Sequence, residues 1–239
     1  MAKKALLSWS SGKDSAWALH ILRRTPDVEV VGLMTTMNEV HQRVAIHAVR
    51  LELLERQAEA LGLPVQVIDL PSPCTNPQYE AAMGKFVDES KRHGIECMAF
   101  GDLFLADIKE YREAKLAGTG IAPLFPLWLM PTDRLATEMI ANGLRAVVTC
   151  VDPQQLPLSF AGREFNEQFL ADLPNDVDPC GEWGEFHTFA FDGPMFEKPV
   201  GIQKGVVVER DGFGYADLLP AGDFSVRLGE KPLGRLKPH

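Results

Sequence analysis

Short apolar runs alternate with stretches of helical periodicity through the first hundred residues, and no other feature narrows the fold as much. Residues 5–7 form an apolar run. Residues 17–22 carry Trp17, Leu19, Ile21 and Leu22 on a helical pattern that ends in Arg23 and Arg24. Residues 28–34 read as a buried strand, followed by a loop of Thr35, Thr36, Met37 and Asn38. Residues 43–61 set Val44, Ala48, Leu51, Leu54, Ala58 and Leu61 at helical spacings, with Gly62 as the stop and Pro64 after it. A strand at 65–70, a stiff loop at Pro71, Pro73 and Pro77, a helix at 78–93 stopped by Gly94, and a strand at 96–100 complete the series. Such a rhythm predicts an α/β protein: a doubly wound parallel sheet with right-handed crossovers and helices on both faces.

Past Gly101 the rhythm loosens. A charged helix is expected at 106–117, then a Pro-broken apolar link at 121–128 that reads as core or as a homodimer contact. A helix capped by Thr132 runs to Asn142, a buried strand covers 144–151, and a helix covers 164–173. From Phe186 the signals are β, at 186–191, 205–209, 213–218 and 224–228, with Asp211-Gly212 as a hairpin turn. The expected organisation is a nucleotide-binding domain at 1–105 and a smaller mixed α+β subdomain at 106–239.

The first strand-to-helix junction carries the chemistry. Ser8-Trp9-Ser10-Ser11-Gly12-Lys13-Asp14-Ser15 lies where a helix N-terminus offers unpaired N–H groups and a favourable dipole to an anion. Ser10, Ser11 and Ser15 add hydroxyls, Gly12 permits close approach, and Lys13 adds a compact positive charge, which together suit phosphate. The loop is not a Walker A sequence: Leu7 stands where the first Gly would be, and Asp14 follows the Lys. Asp14 is a candidate ligand for Mg²⁺, which uses few carboxylates and keeps waters. Its alternative role is to offset the helix dipole.

Composition limits the setting. The net charge of −9 over 239 residues weighs against broad nucleic-acid binding. No apolar run is long enough to span a membrane, and the three apolar residues after Lys3 and Lys4 do not make a signal peptide. Cys74, Cys97, Cys150 and Cys180 form no C-x-x-C pair, so the expectation is a reduced, cytoplasmic protein without structural zinc.

The loop resembles the Ser-Gly-Gly-Lys-Asp-Ser pyrophosphate loop of the N-type ATP pyrophosphatases, with Ser11 in place of the first Gly. Three further segments sharpen the likeness. They are Arg43-Val44-Ala45-Ile46-His47; Gly101-Asp102-Leu103 with Tyr111-Arg112-Glu113 and Pro123-Leu124-Phe125-Pro126-Leu127-Trp128; and Cys180-Gly181-Glu182-Trp183-Gly184-Glu185-Phe186-His187-Thr188. Together these resemble the diphthine–ammonia ligase family. The resemblance implies an adenine nucleotide alpha hydrolase-like, Rossmann-like sheet and an AMP-forming ligase that uses ATP, Mg²⁺, ammonia and a small-molecule or protein carboxylate acceptor. Diphthamide-forming members carry Glu-Gly-Gly-Glu-Phe-Glu-Thr in the last motif. Here Trp183 and His187 replace a Gly and a Glu, the form of the bacterial branch, so the expected acceptor is not diphthine.

On this resemblance Ser10, Ser11, Gly12, Lys13, Asp14 and Ser15 hold the phosphates, and the adenine lies against Leu33 and Met34. Asp102, at a strand end, joins Lys13, Asp14, Glu182, Glu185 and His187 as catalytic candidates. Glu185 and His187 share one face if the segment is extended. His47, Gly101, Arg112, Glu113 and Thr188 are candidates for the acceptor side, with Arg112 able to hold a carboxylate or phosphate. Two competitors stand beside the ligase: a tRNA-modifying ATP pyrophosphatase, for which Cys180 would be the thiol to watch, and a non-enzymatic ATP or AMP sensor.

Overall fold

The computed structural model describes residues 1–38, 43–44, 49–71 and 73–222. Its first sheet contains β1 (Lys3–Ser8), β2 (Val28–Asn38), β4 (Val65–Leu70), β5 (Cys97–Ala99) and β6 (Ala122–Leu124), all parallel, in the order β4-β2-β1-β5-β6. A two-residue strand, β3 (Arg43–Val44), adds antiparallel to the end of β2. Central β1 is buried on both faces, as its unbroken Ala5-Leu6-Leu7 run requires. Leu7 joins the larger core with α1 (Lys13–Arg23) and α2 (Leu51–Ala60), whereas Leu6 packs with residues of α3 (Asn76–Arg92) and α4 (Ala106–Leu116) on the other face. The doubly wound α/β expectation holds.

A separate antiparallel sheet follows, in the order β8 (Phe186–Asp192), β7 (Arg145–Val151), β10 (Phe213–Pro220), β9 (Ile202–Arg210). It is joined by α5 (Thr132–Ala141) and α6 (Glu167–Asp172). Phe165, Phe169, Phe186 and Phe189 carry this half into the same core as Leu7, Trp17 and Leu19. The Asp211-Gly212 turn has positive φ at both residues, 53° and 84°, the twist that a tight hairpin needs.

Five expectations are corrected. Thr35–Asn38 is not a loop: β2 continues, pairing Thr35 with Val67 and Thr36 with Ile68, because β-branched residues suit a laddered strand. The helix expected at 43–61 starts only at Leu51, since Arg43–Val44 pairs with β2. Pro77 lies in the first turn of α3 rather than in a loop, where its missing N–H costs nothing, behind a Thr75–Gln78 capping box. The link at 121–128 contains β6, an edge strand, the one sheet position that tolerates Pro123. Thr132 is the first helical residue of α5 and not its cap, its hydroxyl donating instead to Asp178. The strand expected at 224–228 lies outside the described residues.

Candidate functional site

The sheet order fixes where a ligand can sit. From β1 the chain moves through α1 to β2 on one side, and α3 returns it to β5 on the other. The C-terminal ends of β1 and β5 therefore flank the point where the winding reverses, the usual ligand crevice of such sheets. A cleft of about 330 Å3 opens there. Gly101, after β5, sits so close to α1 that a Cβ would come within 3.1 Å of the Asp14 backbone.

The loop after β1 is held from beneath. Ser11 is left-handed, φ 69°, at the position where the resembling motif carries Gly. Its carbonyl turns inward and accepts from Ala190 N–H (2.8 Å) and from Gln57 Nε2 (3.0 Å). Gln57, fully buried on α2, also donates to the Ala190 carbonyl (2.6 Å) and accepts from Trp9 Nε1 (3.0 Å). The peptide plane after Ser11 is thus fixed with its oxygen away from the cleft. Ser10 Oγ accepts from Gly12 N–H (3.3 Å) and lies 3.2 Å from Ser15 Oγ. Lys13 N–H donates to Thr188 Oγ1 (3.0 Å), while Asp14 and Ser15, in the first turn, have no intrahelical acceptor for theirs.

Lys13 is 1% exposed, and its Nζ donates to Asp14 Oδ2 (2.9 Å) and to the Cys180 carbonyl, with the Phe186 ring 5.2 Å away. Burial pulls its pKa down, but Asp14, Cys180 and Glu182 pull it up further, so the ammonium persists. Burial pushes the Asp14 carboxyl up against the pull of Lys13, and its Oδ1 is buried with no hydrogen-bond partner among the described residues. Asp102 takes a bidentate pair from Arg112, Nε to Oδ2 (2.6 Å) and Nη2 to Oδ1 (3.0 Å), with the guanidinium 4.3 Å from the Phe100 ring centre. Glu182 Oε1 accepts from Leu103 N–H (2.9 Å). Burial, aided by Asp14 and Asp102, pushes Glu182 up to about 7 despite that bond and Lys13.

The structure brings Ser10, Lys13, Asp14, Ser15, Gly101, Asp102, Arg112, Glu182, His187 and Thr188 to one cleft. Gly12 caps α1 beside it, and Ser11 lies beneath. Beyond these two, four expected residues are not among its lining. Leu33 and Met34 are buried in mid-strand, because β2 runs on to Asn38, so no strand end exists there for adenine. Glu113 pairs with Lys109 on the helix surface. Glu185 precedes β8 instead of alternating with His187 along it, and is buried; its Oε1 accepts from Asp178 N–H (2.9 Å). Asp178 in turn accepts from Cys180 and Glu182 N–H (2.9 and 3.2 Å), so Glu185 braces the turn that carries Glu182. His47 lies outside the described residues. Gln57 was missed, since a glutamine inside a helix gives no sequence signal. Among the described residues no group of three or more His, Cys, Asp or Glu side chains is arranged to hold a metal, and no helix is long and apolar enough to cross a membrane.

Sheet order, loop and crevice define a class, the phosphate-loop α/β proteins of the PP-loop kind. Within it, the chain belongs to the diphthamide synthase family: the models for the diphthamide synthase N-terminal and C-terminal domains match residues 2–117 and 131–218. It is 28% identical to the diphthine–ammonia ligase of Bos taurus over a 251-residue alignment covering 93% of this chain and 91% of that one, with the same figures for the Homo sapiens protein. The Danio rerio diphthine–ammonia ligase is 30% identical over 159 residues, covering 60% of this chain and 62% of its own.

Proposed function

We propose that the chain is an ATP-dependent, AMP-forming amide ligase of the cytoplasm, in the bacterial branch of its family, with ammonia as the nitrogen donor. One observation carries the reading: a phosphate loop, an Asp102–Arg112 pair and a carboxylate poised near neutrality, Glu182, face one cleft at the reversal of the sheet. The activity for which the relatives are named, diphthine–ammonia ligation, supports the same class.

The α1 N-terminus and Ser10, Ser15 and Lys13 hold the phosphates and stabilise the departing pyrophosphate by fixed dipoles and charge. Asp14 would hold Mg²⁺: its buried Oδ1, unpartnered among the described residues, suits the one or two carboxylates that Mg²⁺ takes beside phosphate oxygens and water. An acceptor carboxylate oxygen attacks the α-phosphorus, the bond to the β-phosphate oxygen breaks, and acyl-AMP and pyrophosphate result. Ammonia then attacks the acyl carbon and AMP leaves. Glu182 takes the proton lost by the nitrogen, a role that suits a base titrating near the working pH. His187, with Thr188 anchoring Lys13, lines the nitrogen side. Trp183 and His187 stand where the diphthamide-forming pattern has Gly and Glu, which supports an acceptor other than diphthine.

The test is turnover of α-labelled ATP with Mg²⁺, ammonium and pools of carboxylates. Release of AMP with pyrophosphate, lost in Lys13→Ala, is expected. ADP and phosphate as products, or tight nucleotide binding with no turnover in any pool, refutes the reading.

A further inference from the structure

A second cavity, of about 200 Å3, opens between α3 and α4 over β5. Its floor is Met98 and Phe100, nearly inaccessible to solvent, and its walls include Tyr79 and Met83 of α3 and Tyr111 of α4. An apolar hollow smaller than this accommodates a benzene ring. Gly84 stands on its wall in mid-α3, where glycine weakens a helix, and nothing lies within 4 Å of the place its Cβ would occupy. Gly84 is itself exposed at the cavity's edge, so a larger apolar side chain there has room to project over the hollow.

Arg112 lines both this cavity and the phosphate cleft, and Ile108 bridges the shallow depression between them. The guanidinium lies over Phe100, on the cavity floor, and commits Nε and Nη2 to Asp102, while Nη1 has no hydrogen-bond partner among the described residues. The other cation of the cavity, Lys115, is paired with Glu80 at 2.6 Å. One cationic donor therefore sits at the boundary, with an apolar ring-sized space on one side and the loop on the other.

We propose that the α3–α4 cavity is the acceptor subsite and that the acceptor is a small free carboxylic acid with an apolar body of about one ring. Its carboxylate is turned to Arg112 and the phosphate cleft. The assignment rests on the ligase reading of the cleft. A larger or polar acceptor would leave the Met98–Phe100 floor exposed and its own polar groups unpaired.

The full-length protein is titrated with phenylacetate, phenylacetamide and succinate by calorimetry or ligand-observed NMR, and ATP affinity is measured in parallel. Phenylacetate is expected to bind. Phenylacetamide and succinate are expected to bind at least about tenfold more weakly, for want of the charge and of the apolar body respectively. Gly84→Leu, which projects over the hollow and favours the helix, should weaken phenylacetate by at least about tenfold and leave ATP affinity and melting intact. No phenylacetate binding to the parent, equal binding of the amide or succinate, or insensitivity to Gly84→Leu overturns the subsite. AMP formation from a carboxylate that survives Gly84→Leu overturns the subsite and spares the ligase reading. Phenylacetate binding that Gly84→Leu abolishes, in a protein that makes no AMP, spares the subsite and ends the ligase reading.

Discussion

Replacing Gln57 with Leu should uncouple the phosphate loop from the molecule. The side chains are close in volume, so no cavity opens, and the change acts on three hydrogen bonds: to the Ser11 and Ala190 carbonyls and from the Trp9 indole. Each neutral bond contributes about 1 kcal/mol net, and a buried donor left without a partner costs a further 1–3 kcal/mol or so. The indole Nε1 of Trp9, 1% exposed, is such a donor, whereas the Ser11 carbonyl keeps the Ala190 N–H. Added leucine hydrophobicity offsets about 1 kcal/mol, leaving a loss of roughly 3–5 kcal/mol. For a chain of this size that lowers the melting temperature by roughly 10 °C. The functional effect should exceed the structural one. With half of its restraint gone, the Ser11–Gly12 peptide is freer to turn its oxygen into the cleft, where it would face phosphate oxygens. Urea unfolding and ATP titration at a temperature where the variant is fully folded separate the two effects. A Gln57→Leu protein within about 1 kcal/mol of the parent, or a folded one that binds ATP like the parent, would refute this account of the loop.

Ser11→Gly relieves a left-handed L-residue and removes a buried hydroxyl that has no partner among the described residues. It should stabilise by about 0.5–1 kcal/mol after the added chain entropy is subtracted, and a loss of stability in urea unfolding would contradict the strain. If Glu182 is the base, turnover rises as pH climbs through about 7, where its carboxyl gives up its proton, and Glu182→Gln flattens that limb of the pH–rate profile. The same raised pKa makes the folded state bind the proton more tightly than the unfolded chain does. Its contribution to stability is present below pH 4.5 and declines as pH rises to about 7, so Glu182→Gln should flatten that slope in melts across the range. Cys180 reaches Lys13 through its backbone carbonyl, and burial pushes its thiol up, away from the reactive thiolate. Cys180→Ala should therefore keep AMP formation, and iodoacetamide should label exposed Cys74 first; loss of turnover in Cys180→Ala would favour sulfur transfer.

Periodicity made the parallel layer legible because a strand buried on both faces, such as β1, and an amphipathic helix, such as α2, leave different traces in a row of residues. It failed at β6, where Pro123 and Pro126 mask a strand that survives only because it is at an edge. It also failed at Thr35–Asn38, where polar β-branched residues pass for a loop until β4 is beside them. In the cleft, motif spacing pointed to Lys13, Asp102, Arg112, Glu182 and His187, all of which line it, most of them at or just beyond the end of a strand or helix. It misplaced Glu185 because two residues on one face of an extended strand must both belong to that strand, and β8 begins one residue too late. Gln57 was beyond reach: its meaning comes from Trp9, Ser11 and Ala190, three partners that only tertiary packing assembles.

The anchoring of the loop has a bearing on biosynthesis. A chain still on the ribosome makes the phosphate loop first, and Thr188 and Ala190, which hold Lys13 N–H and the Ser11 carbonyl, emerge more than 170 residues later. Until β8 docks against α1, the nascent protein has the loop's letters without its shape. Affinity for nucleotide should thus switch on late in translation, and chains arrested before Ala190 should bind ATP far more weakly than those released beyond it.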